Sequence, residues 1–258
     1  MKRALVTGAG ARLGRAMALT LGQQGYDVAV HYATSKQAAE EVVAALGEMG
    51  RTAVALQADL LDEATVQALV PAAMVALGGP LTCLVNNASI FEYDNITSAT
   101  RSSWDRHLES NLRAPFVLTQ AVAEAAPAPY SDNQNEPVAK ALVVNMIDQR
   151  VRKLTPEFMS YTIAKMGLWA FTQTAAQALA PKVRVNAIGP GPTLQGARQS
   201  AKHFAAQRRN TVLKRGASPD DVTAALNYFL HAPSVTGQLL CVDGGQHLGW
   251  KTPDVLND

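Results

Sequence analysis

Short apolar runs alternate along this chain with longer stretches in which hydrophobic residues recur every three or four positions. The short runs predict β-strands and the amphipathic stretches predict helices. Strands are predicted at Ala4–Thr7, Val28–Tyr32, Thr52–Gln57, Thr82–Asn86, Ala141–Met146, Val183–Ile188 and Leu239–Val242. Helices are predicted near residues 12–25, 36–49, 62–77, 98–126, 157–180 and 219–231. This alternation is typical of a doubly wound α/β fold, with one parallel sheet of about seven strands and helices on both faces.

Two segments depart from the alternation. The stretch Pro127–Pro137 is polar and aperiodic, which predicts an exposed loop. Residues 192–212 interrupt the last strand–helix unit and are interpreted as a mobile lid over a substrate, with a plain surface helix as the alternative.

Composition narrows the class of protein. The 258 residues, 48% of them hydrophobic, suit one domain over 1–258 with a substantial core. A net charge of +2, without a basic stripe interleaved with aromatic residues, argues against a nucleic acid partner. The chain shows no leader and no apolar run of about 18 residues, so we expect a cytoplasmic protein with no membrane contact.

The cysteines and histidines suggest no special site. Cys83 and Cys241 lie in apolar runs and are expected to be buried. The five histidines lack the spacing of metal ligands, so no metal is expected.

A glycine-rich turn follows the first predicted strand. The segment Thr7–Gly14 reads TGAGARLG and leads directly into an amphipathic helix and a second strand. Gly8 permits a tight turn, Gly14 permits close packing of helix against strand, and the N–H groups at the helix start can bind a pyrophosphate. The pattern favours a dinucleotide site over the alternative, an ordinary glycine turn in an α/β protein.

The end of the second strand bears on which dinucleotide binds. It reads His31-Tyr32-Ala33-Thr34-Ser35-Lys36, without the acidic residue that would bind both ribose hydroxyls of NAD. NADP is therefore predicted, with Ser35 and Lys36 binding most of its 2′-phosphate.

A tyrosine and a lysine four residues apart supply candidate chemistry. Tyr161 and Lys165 lie in a predicted helix, which brings positions i and i+4 onto one face. A positive charge near a phenol lowers its pKa from the usual value of about 10, which suits acid–base catalysis at neutral pH. Asp148, thirteen residues before Tyr161, is a further candidate; its alternative role is a structural carboxylate that caps a nearby loop.

These motifs form part of a longer ordered series. The other pieces are ADL at 58–60, NNAS at 86–89, Asn111 within SNLRAPF, NAIGPGP at 186–192 and VDGG at 242–245. With them the chain resembles the short-chain dehydrogenase/reductase family over essentially its full length. The resemblance implies a nicotinamide cofactor, a Tyr–Lys–Asn catalytic centre and a homotetramer.

By this resemblance, the cofactor would contact residues in many segments of the chain. They are Gly8, Arg12, Leu13, Gly14, His31, Tyr32, Ser35, Asp59, Leu60, Asn87, Ala88, Ser89, Tyr161, Lys165, Pro190 and Gly191. Asp59 would lie near the adenine, although its sequence context also fits a helix start. Asn111 would kink a helix and hold a water that bridges toward Lys165; the alternative is a polar helix residue that faces solvent.

Three departures from the common family pattern are informative. Arg12, Ser89 and Asp148 stand where most members have glycine, glycine and serine, and together they resemble the pteridine reductase branch. That resemblance implies a substrate site of Arg12, Ser89, Phe91, Asp148 and Tyr161, with Phe91 stacked on a pterin ring. The alternatives are a phosphate contact alone for Arg12 and core packing for Phe91.

The predicted reaction is NADPH-dependent reduction of a C=N bond in a dihydropterin-type small molecule. Tyr161, aided by Lys165 and Asp148, would supply the proton, because the carboxyl of Asp148 can donate or accept according to its protonation. One alternative is a short-chain carbonyl or 3-oxoacyl reductase. Another is an NADPH-binding protein without turnover, against which the intact Asn111, Tyr161 and Lys165 argue.

Overall fold

The computed structural model describes residues 2–196 and 199–252. Within them, one parallel sheet holds seven strands in the order β3-β2-β1-β4-β7-β8-β9. The sheet strands are β1 (Arg3–Val6), β2 (Asp27–Tyr32), β3 (Ala53–Gln57), β4 (Cys83–Asn86), β7 (Ala141–Met146), β8 (Val183–Pro190) and β9 (Leu239–Val242). A separate antiparallel pair is formed by β5 (Tyr130–Ser131) and β6 (Pro137–Val138). The predicted fold class is confirmed, and the predicted exposed loop instead carries a short, mostly exposed hairpin.

Helices connect the strands on both faces of the sheet. They are α1 (Arg12–Gln23), α2 (Lys36–Glu48), α3 (Glu63–Ala76), α4 (Arg101–Leu108), α5 (Ala114–Ala125), α6 (Met159–Leu179), α7 (Ala201–Arg209) and α8 (Pro219–His231). The single helix predicted near 98–126 is wrong in one respect, because a π-helical turn at Glu109–Arg113 separates α4 from α5. Short 3-10 helices occur at Gln149–Arg152 and Gln246–Leu248.

The sheet has a hydrophobic core on each face. Along β1, Ala4 and Val6 face one core while Leu5 faces the other, as the two-residue repeat of a strand requires. The first core packs against α1, α2 and α8, and the second against α3, α5 and α6. Cys83 is buried as expected, whereas Cys241 is only partly buried; both are free thiols.

The strand order reverses between β1 and β4. From β1 the chain winds outward through β2 and β3, and from β4 it winds the other way through β7 and β8. In open α/β sheets a crevice forms at such a reversal, outside the carboxyl ends of the strands. The candidate site residues follow the ends of β1, β4, β7 and β8, so the topology gathers them at this crevice.

Two negative findings concern the described part of the chain. None of its helices is both long and apolar enough to cross a membrane. Its His, Cys, Asp and Glu side chains form no group of three or more that could hold a metal ion.

Candidate active site

The turn after β1 depends on two glycines for different reasons. Gly8 has a backbone φ of 61°, in the left-handed region that favours glycine. A side chain on Gly14 would collide with the Gly8 carbonyl oxygen and the Asn87 side-chain amide. That amide donates to the carbonyl oxygens of Thr7 at 2.8 Å and Gly8 at 3.3 Å. The start of α1 is thereby held against the ends of β1 and β4.

The first turn of α1 suits a bound anion. Its N-cap residue, Ala11, provides no side-chain hydrogen bond to the helix N–H groups, and such groups bind phosphates well. Pro190 and Gly191 line the same cavity as this turn. A side chain on Gly191 would collide with Asp243, so the backbone here approaches closely. The arrangement fits the pyrophosphate of a dinucleotide.

His31, in β2, is buried beside the glycine turn rather than open to a ligand. Its Nδ1 accepts from the Gly8 N–H at 3.0 Å, so Nε2 carries the proton and donates to the Ala58 carbonyl oxygen at 3.1 Å. Burial lowers the pKa of His31, which keeps the ring neutral. Both ring nitrogens are thus occupied by backbone groups, and His31 acts on the cofactor site through the position of the glycine turn.

The residues predicted near the adenosine end lie outside the main cavity. Asp59 accepts from the Leu61 N–H at 3.0 Å, while Asp62 caps α3 through the Ala64 N–H. The helix-start alternative therefore applies to Asp62 and not to Asp59. Leu60 is buried and Tyr32 is partly buried.

Two polar residues begin α2 where a 2′-phosphate is predicted. The hydroxyl of Ser35 forms no capping bond with the helix. The exposed ammonium of Lys36 lies 3.6 Å from Glu40. An exposed ion pair of this kind contributes little to stability, so Lys36 can reorient toward a phosphate.

Three catalytic candidates converge between β7 and α6. The Tyr161 hydroxyl donates to Asp148 Oδ2 at 3.1 Å. Lys165 Nζ donates to the Met146 carbonyl oxygen at 2.8 Å and lies 5.7 Å from the centre of the Tyr161 ring. Lys165 is only 2% exposed. The expected proximity is present, but the phenol bonds to the carboxylate and not to the ammonium.

In this arrangement the pKa of Tyr161 shifts in the direction opposite to the one predicted from the sequence. Burial, followed by the charge and hydrogen bond of Asp148, raises the pKa of Tyr161 well above its usual value. Burial also raises the pKa of Asp148 and lowers the pKa of Lys165 to about 8. The prediction that Lys165 lowers the phenol pKa is therefore wrong for this state of the protein. Tyr161 keeps its proton at neutral pH, as a proton donor must.

Asp148 combines its contact with Tyr161 and a structural role. Its Oδ1 accepts from the Arg150 N–H at 2.8 Å and caps the 3-10 helix at Gln149–Arg152. The capping alternative from the sequence is thus present, on the oxygen that does not contact Tyr161. The cap fixes the carboxyl group so that its other oxygen faces the phenol.

Asn111 lies in the π-helical turn and is fully buried. Its side-chain amide donates to the Ile90 carbonyl oxygen at 2.8 Å, and its oxygen accepts from the Ile90 N–H at 3.0 Å. The solvent-facing alternative is therefore wrong. Asn111 holds the loop that follows β4, next to Phe91.

An aromatic wall stands beside Tyr161. The rings of Phe91 and Phe158 stack with centroids 4.3 Å apart, and Phe91 meets Tyr161 edge-on at 4.7 Å. Tyr93 packs edge-on against Phe158 at 5.3 Å. Phe91 is 48% exposed, so it is not a core residue. Phe158 covers one face of Phe91, and the exposed part of Phe91 lines the cavity.

Arg12 connects the glycine turn to the segment predicted as a lid. Its guanidinium donates to the carbonyl oxygens of Leu194 at 3.1 Å and Gln195 at 3.0 Å. The backbone of Arg12 has a φ of 52°, an unusual value for a residue with a side chain. Arg12 thus spans the crevice between β1 and the segment after β8.

These groups surround a cavity of about 1070 Å³. Ser89 lies in its wall and contributes a hydrogen bond that acts against the rise in the Tyr161 pKa. The predicted site residues that line it are Gly8, Arg12, Leu13, Gly14, Asn87, Ala88, Ser89, Phe91, Asp148, Tyr161, Lys165, Pro190 and Gly191. Those outside its lining are His31, Tyr32, Ser35, Asp59, Leu60 and Asn111.

Several lining residues were not named as site residues from the sequence: Tyr93, Arg150, Phe158 and Gln246, and, within the segment predicted as a lid, Gln199, His203, Phe204 and Gln207. His203 and Gln207 lie four residues apart in α7, a spacing that could have identified the face of this helix that lines the cavity. Phe158 offers no such signal, because its ring is placed by a left-handed backbone conformation with a φ of 56°.

The whole chain was compared with known proteins. Residues 8–247 match a family model described as enoyl-(acyl carrier protein) reductase. The chain belongs to the short-chain dehydrogenase/reductase family. Within it, the 3-oxoacyl-[acyl-carrier-protein] reductase FabG of Staphylococcus aureus is 30% identical over 96% of this chain and 98% of its own length. The 3beta-hydroxysteroid dehydrogenase 1 of Eggerthella lenta is 33% identical over 96% and 94%.

Solved structures of this family also support the cofactor. FolM alternative dihydrofolate reductase 1 from Brucella suis, in complex with NADP, is 40% identical with a TM-score of 0.91, over 99% of this chain and 98% of that one. Similarity to this short-chain dehydrogenase/reductase supports the pteridine reductase-like branch. The protein is an NADP-dependent oxidoreductase. Its glycine turn, uncapped α1 and lack of an acidic residue after β2 fit this dinucleotide.

The α2 start provides a test of cofactor preference. We expect kcat/KM to be higher with NADPH than with NADH, and we expect Lys36→Ala to lower the NADPH value by about tenfold or more by removing a charge-assisted phosphate contact. NADH kinetics should not change. Steady-state assays with both cofactors measure this, and Lys140→Ala, at another exposed lysine, is the control. Equal efficiencies in the wild type would contradict the NADP assignment.

Proposed function

We propose that this protein reduces a C=N bond of a dihydropterin-type substrate. The main support is the hydrogen bond of 3.1 Å between the Tyr161 hydroxyl and the Asp148 carboxylate, two groups in the lining of the cavity. Reduction of a C=N bond requires a proton at nitrogen. A buried phenol coupled to a carboxyl group supports delivery of that proton.

The cavity residues have separable parts in this proposal. NADPH, when bound, supplies the hydride. Tyr161 holds the proton at its hydroxyl oxygen, and Asp148 accepts that hydrogen bond and can return a proton to the phenol. Lys165 provides a positive charge near the ring while its ammonium remains tied to Met146. Phe91 orients a flat heterocycle by stacking.

A second candidate is reduction of a 3-oxoacyl or other carbonyl substrate. The similarity to FabG over nearly the full length of both chains favours it. The two functions differ in what they require of Asp148 and Phe91. A carbonyl oxygen needs one proton donor, which Tyr161 alone can provide, and an aliphatic ketone gains little from stacking.

A substrate panel separates the two. The wild-type enzyme with NADPH is assayed on dihydrobiopterin, dihydromonapterin, dihydrofolate and simple ketones, and we expect efficient turnover of at least one dihydropterin. Phe91→Leu, which keeps an apolar side chain but removes the ring, should raise the pterin KM by the equivalent of about 0.5–1.5 kcal/mol. The NADPH KM should change less. Ketone reduction without any dihydropterin turnover would overturn the proposal.

Three further features stay proposals. The homotetramer and the cytoplasmic location follow from resemblance and sequence pattern, and light scattering of the purified enzyme tests the first. The lid over 192–212 has support from Gln199, His203 and Phe204, which line the cavity, and from the bonds between Arg12 and the backbone at 194–195. Ala197 and Arg198, within this segment, lie outside the described residues.

A further inference from the structure

A buried chain of hydrogen bonds lies behind the aromatic wall. It runs from His107 in α4 through Ser160 in α6 to Asp94 in the loop after β4. All three residues are at most 1% exposed. None of them lines the cavity, and none is explained by the chemistry assigned above.

The direction of each hydrogen bond follows from the partners of the histidine. The Glu92 N–H donates to His107 Nε2 at 3.1 Å, so Nε2 is unprotonated. Nδ1 therefore carries the proton and donates to Ser160 Oγ at 2.7 Å. The Ser160 hydroxyl in turn donates to the Asp94 carboxylate. Because a nucleophilic serine would donate to histidine instead, this order of residues is not a hydrolytic triad.

The same bonds supply the cap that α6 lacks. Its N-cap residue, Phe158, is left-handed and forms no side-chain cap. Asp94 substitutes for it from another part of the chain, since its carbonyl oxygen accepts from the Met159 N–H at 3.2 Å and its Oδ1 accepts from the Ser160 N–H at 3.1 Å. The beginning of the catalytic helix, immediately before Tyr161, is thus fixed by the loop after β4.

The loop is fixed on both sides of Phe91. Asn111 binds the backbone of Ile90, and His107 binds the backbone of Glu92. His107 also meets the Tyr161 ring edge-on at 6.0 Å. One histidine therefore contacts the residue after the stacking aromatic, the residue before the proton donor, and the donor ring itself.

We infer that His107 is a positioning residue that sets the placement of Phe91 relative to Tyr161. Its Nε2 fixes the loop that carries Phe91, and its Nδ1 fixes the helix that carries Tyr161. The inference rests on the proposed function in one respect, that Phe91 contacts the substrate. These two contacts of His107 affect different kinetic quantities, because Phe91 affects substrate binding and Tyr161 affects the chemical step.

Two amide substitutions separate the effects of the Nδ1 and Nε2 hydrogen bonds of His107. Asparagine places its amide where His107 has Nδ1, and glutamine places its amide where His107 has Nε2. His107→Asn should keep the bond to Ser160 and lose that to Glu92, which raises the substrate KM about fivefold with little change in kcat. His107→Gln should do the reverse and lower kcat about fivefold, with KM nearly unchanged.

The controls distinguish positioning from a loss of stability. Val122→Ala, at a core residue of α5 that does not line the cavity, should lower the melting temperature without altering kcat or KM. NADPH titration counts the folded sites in every variant, so that kcat refers to folded enzyme only. Asn and Gln variants with the same changes in kcat and KM, or with a lowered melting temperature alone, would overturn the inference.

Failure of the pterin proposal gives a different result. It is seen in the wild type, as ketone reduction without dihydropterin turnover. The same variants are then assayed on the ketone, where the inference still requires the lower kcat of His107→Gln. An unchanged kcat for this variant on the substrate that turns over would show that His107 does not position Tyr161.

Discussion

Tyr161→Phe should lower kcat by about 10²–10⁴-fold, the usual contribution of a general acid, while NADPH binding stays nearly intact. Phenylalanine preserves the ring that packs against Phe91 and removes only the hydroxyl that donates to Asp148. The high pKa of Tyr161 means that wild-type enzyme keeps this proton at neutral pH. Single-turnover rates and fluorescence titration of NADPH measure the two effects.

The matched control for this substitution is Tyr228→Phe, which removes the hydroxyl of an exposed tyrosine on α8. It should leave kcat unchanged. Lys165→Ala should differ from Tyr161→Phe, because the family resemblance also assigns Lys165 a contact with the nicotinamide ribose, so NADPH binding should weaken as well. Wild-type turnover in the Tyr161 variant would remove its catalytic assignment.

Asp148→Ser should depress dihydropterin reduction by about 10²-fold, at the lower end of the range for an acid–base group. Activity on a simple ketone should stay level or rise, because serine can hold a carbonyl oxygen but cannot return a proton to Tyr161. The ratio of the two kcat/KM values measures the effect. A ratio equal to that of the wild type would contradict the role proposed for the carboxyl group.

Asp148→Asn separates this chemistry from the structural role of Asp148. An asparagine oxygen can still accept from the Arg150 N–H and cap the 3-10 helix, as Oδ1 does in the wild type. We therefore expect nearly normal thermal stability together with impaired dihydropterin reduction. Loss of stability and activity in parallel would indicate that the cap is the main function of this residue.

The sheet was predictable because its signals are local. β7, β9 and α8 occupy the predicted residues, and the other predicted sheet strands and helices, apart from the helix near 98–126, differ from the observed ones only near their ends. The break between α4 and α5 was not predictable, since the apolar pattern continues through the π-helical turn at Glu109–Arg113. That turn is compensated by tertiary bonds from Asn111 to Ile90, which no local pattern encodes.

The candidate site, too, was predictable where its signals are local and unpredictable where they depend on tertiary contacts. Ordered motifs identified many of the cavity residues, such as Gly14 in α1 and Lys165 in α6. They did not give the charge state of Tyr161, because burial and the carboxyl group of Asp148 together outweigh the effect of a lysine that bonds elsewhere. They also missed Phe158, whose contribution depends on a backbone angle.

The left-handed conformation of Phe158 has a consequence for thermostability engineering. A non-glycine residue with a φ of 56° is held at a cost of about 1–2 kcal/mol, and its ring is one layer of the wall beside the reacting groups. Glycine would relax the backbone at this position and remove the ring in the same step. Any stability gained from the backbone at residue 158 would be offset by the lost ring contacts with Phe91 and Tyr93 and would change the shape of the pocket, so this residue should be left out of substitutions chosen for heat tolerance.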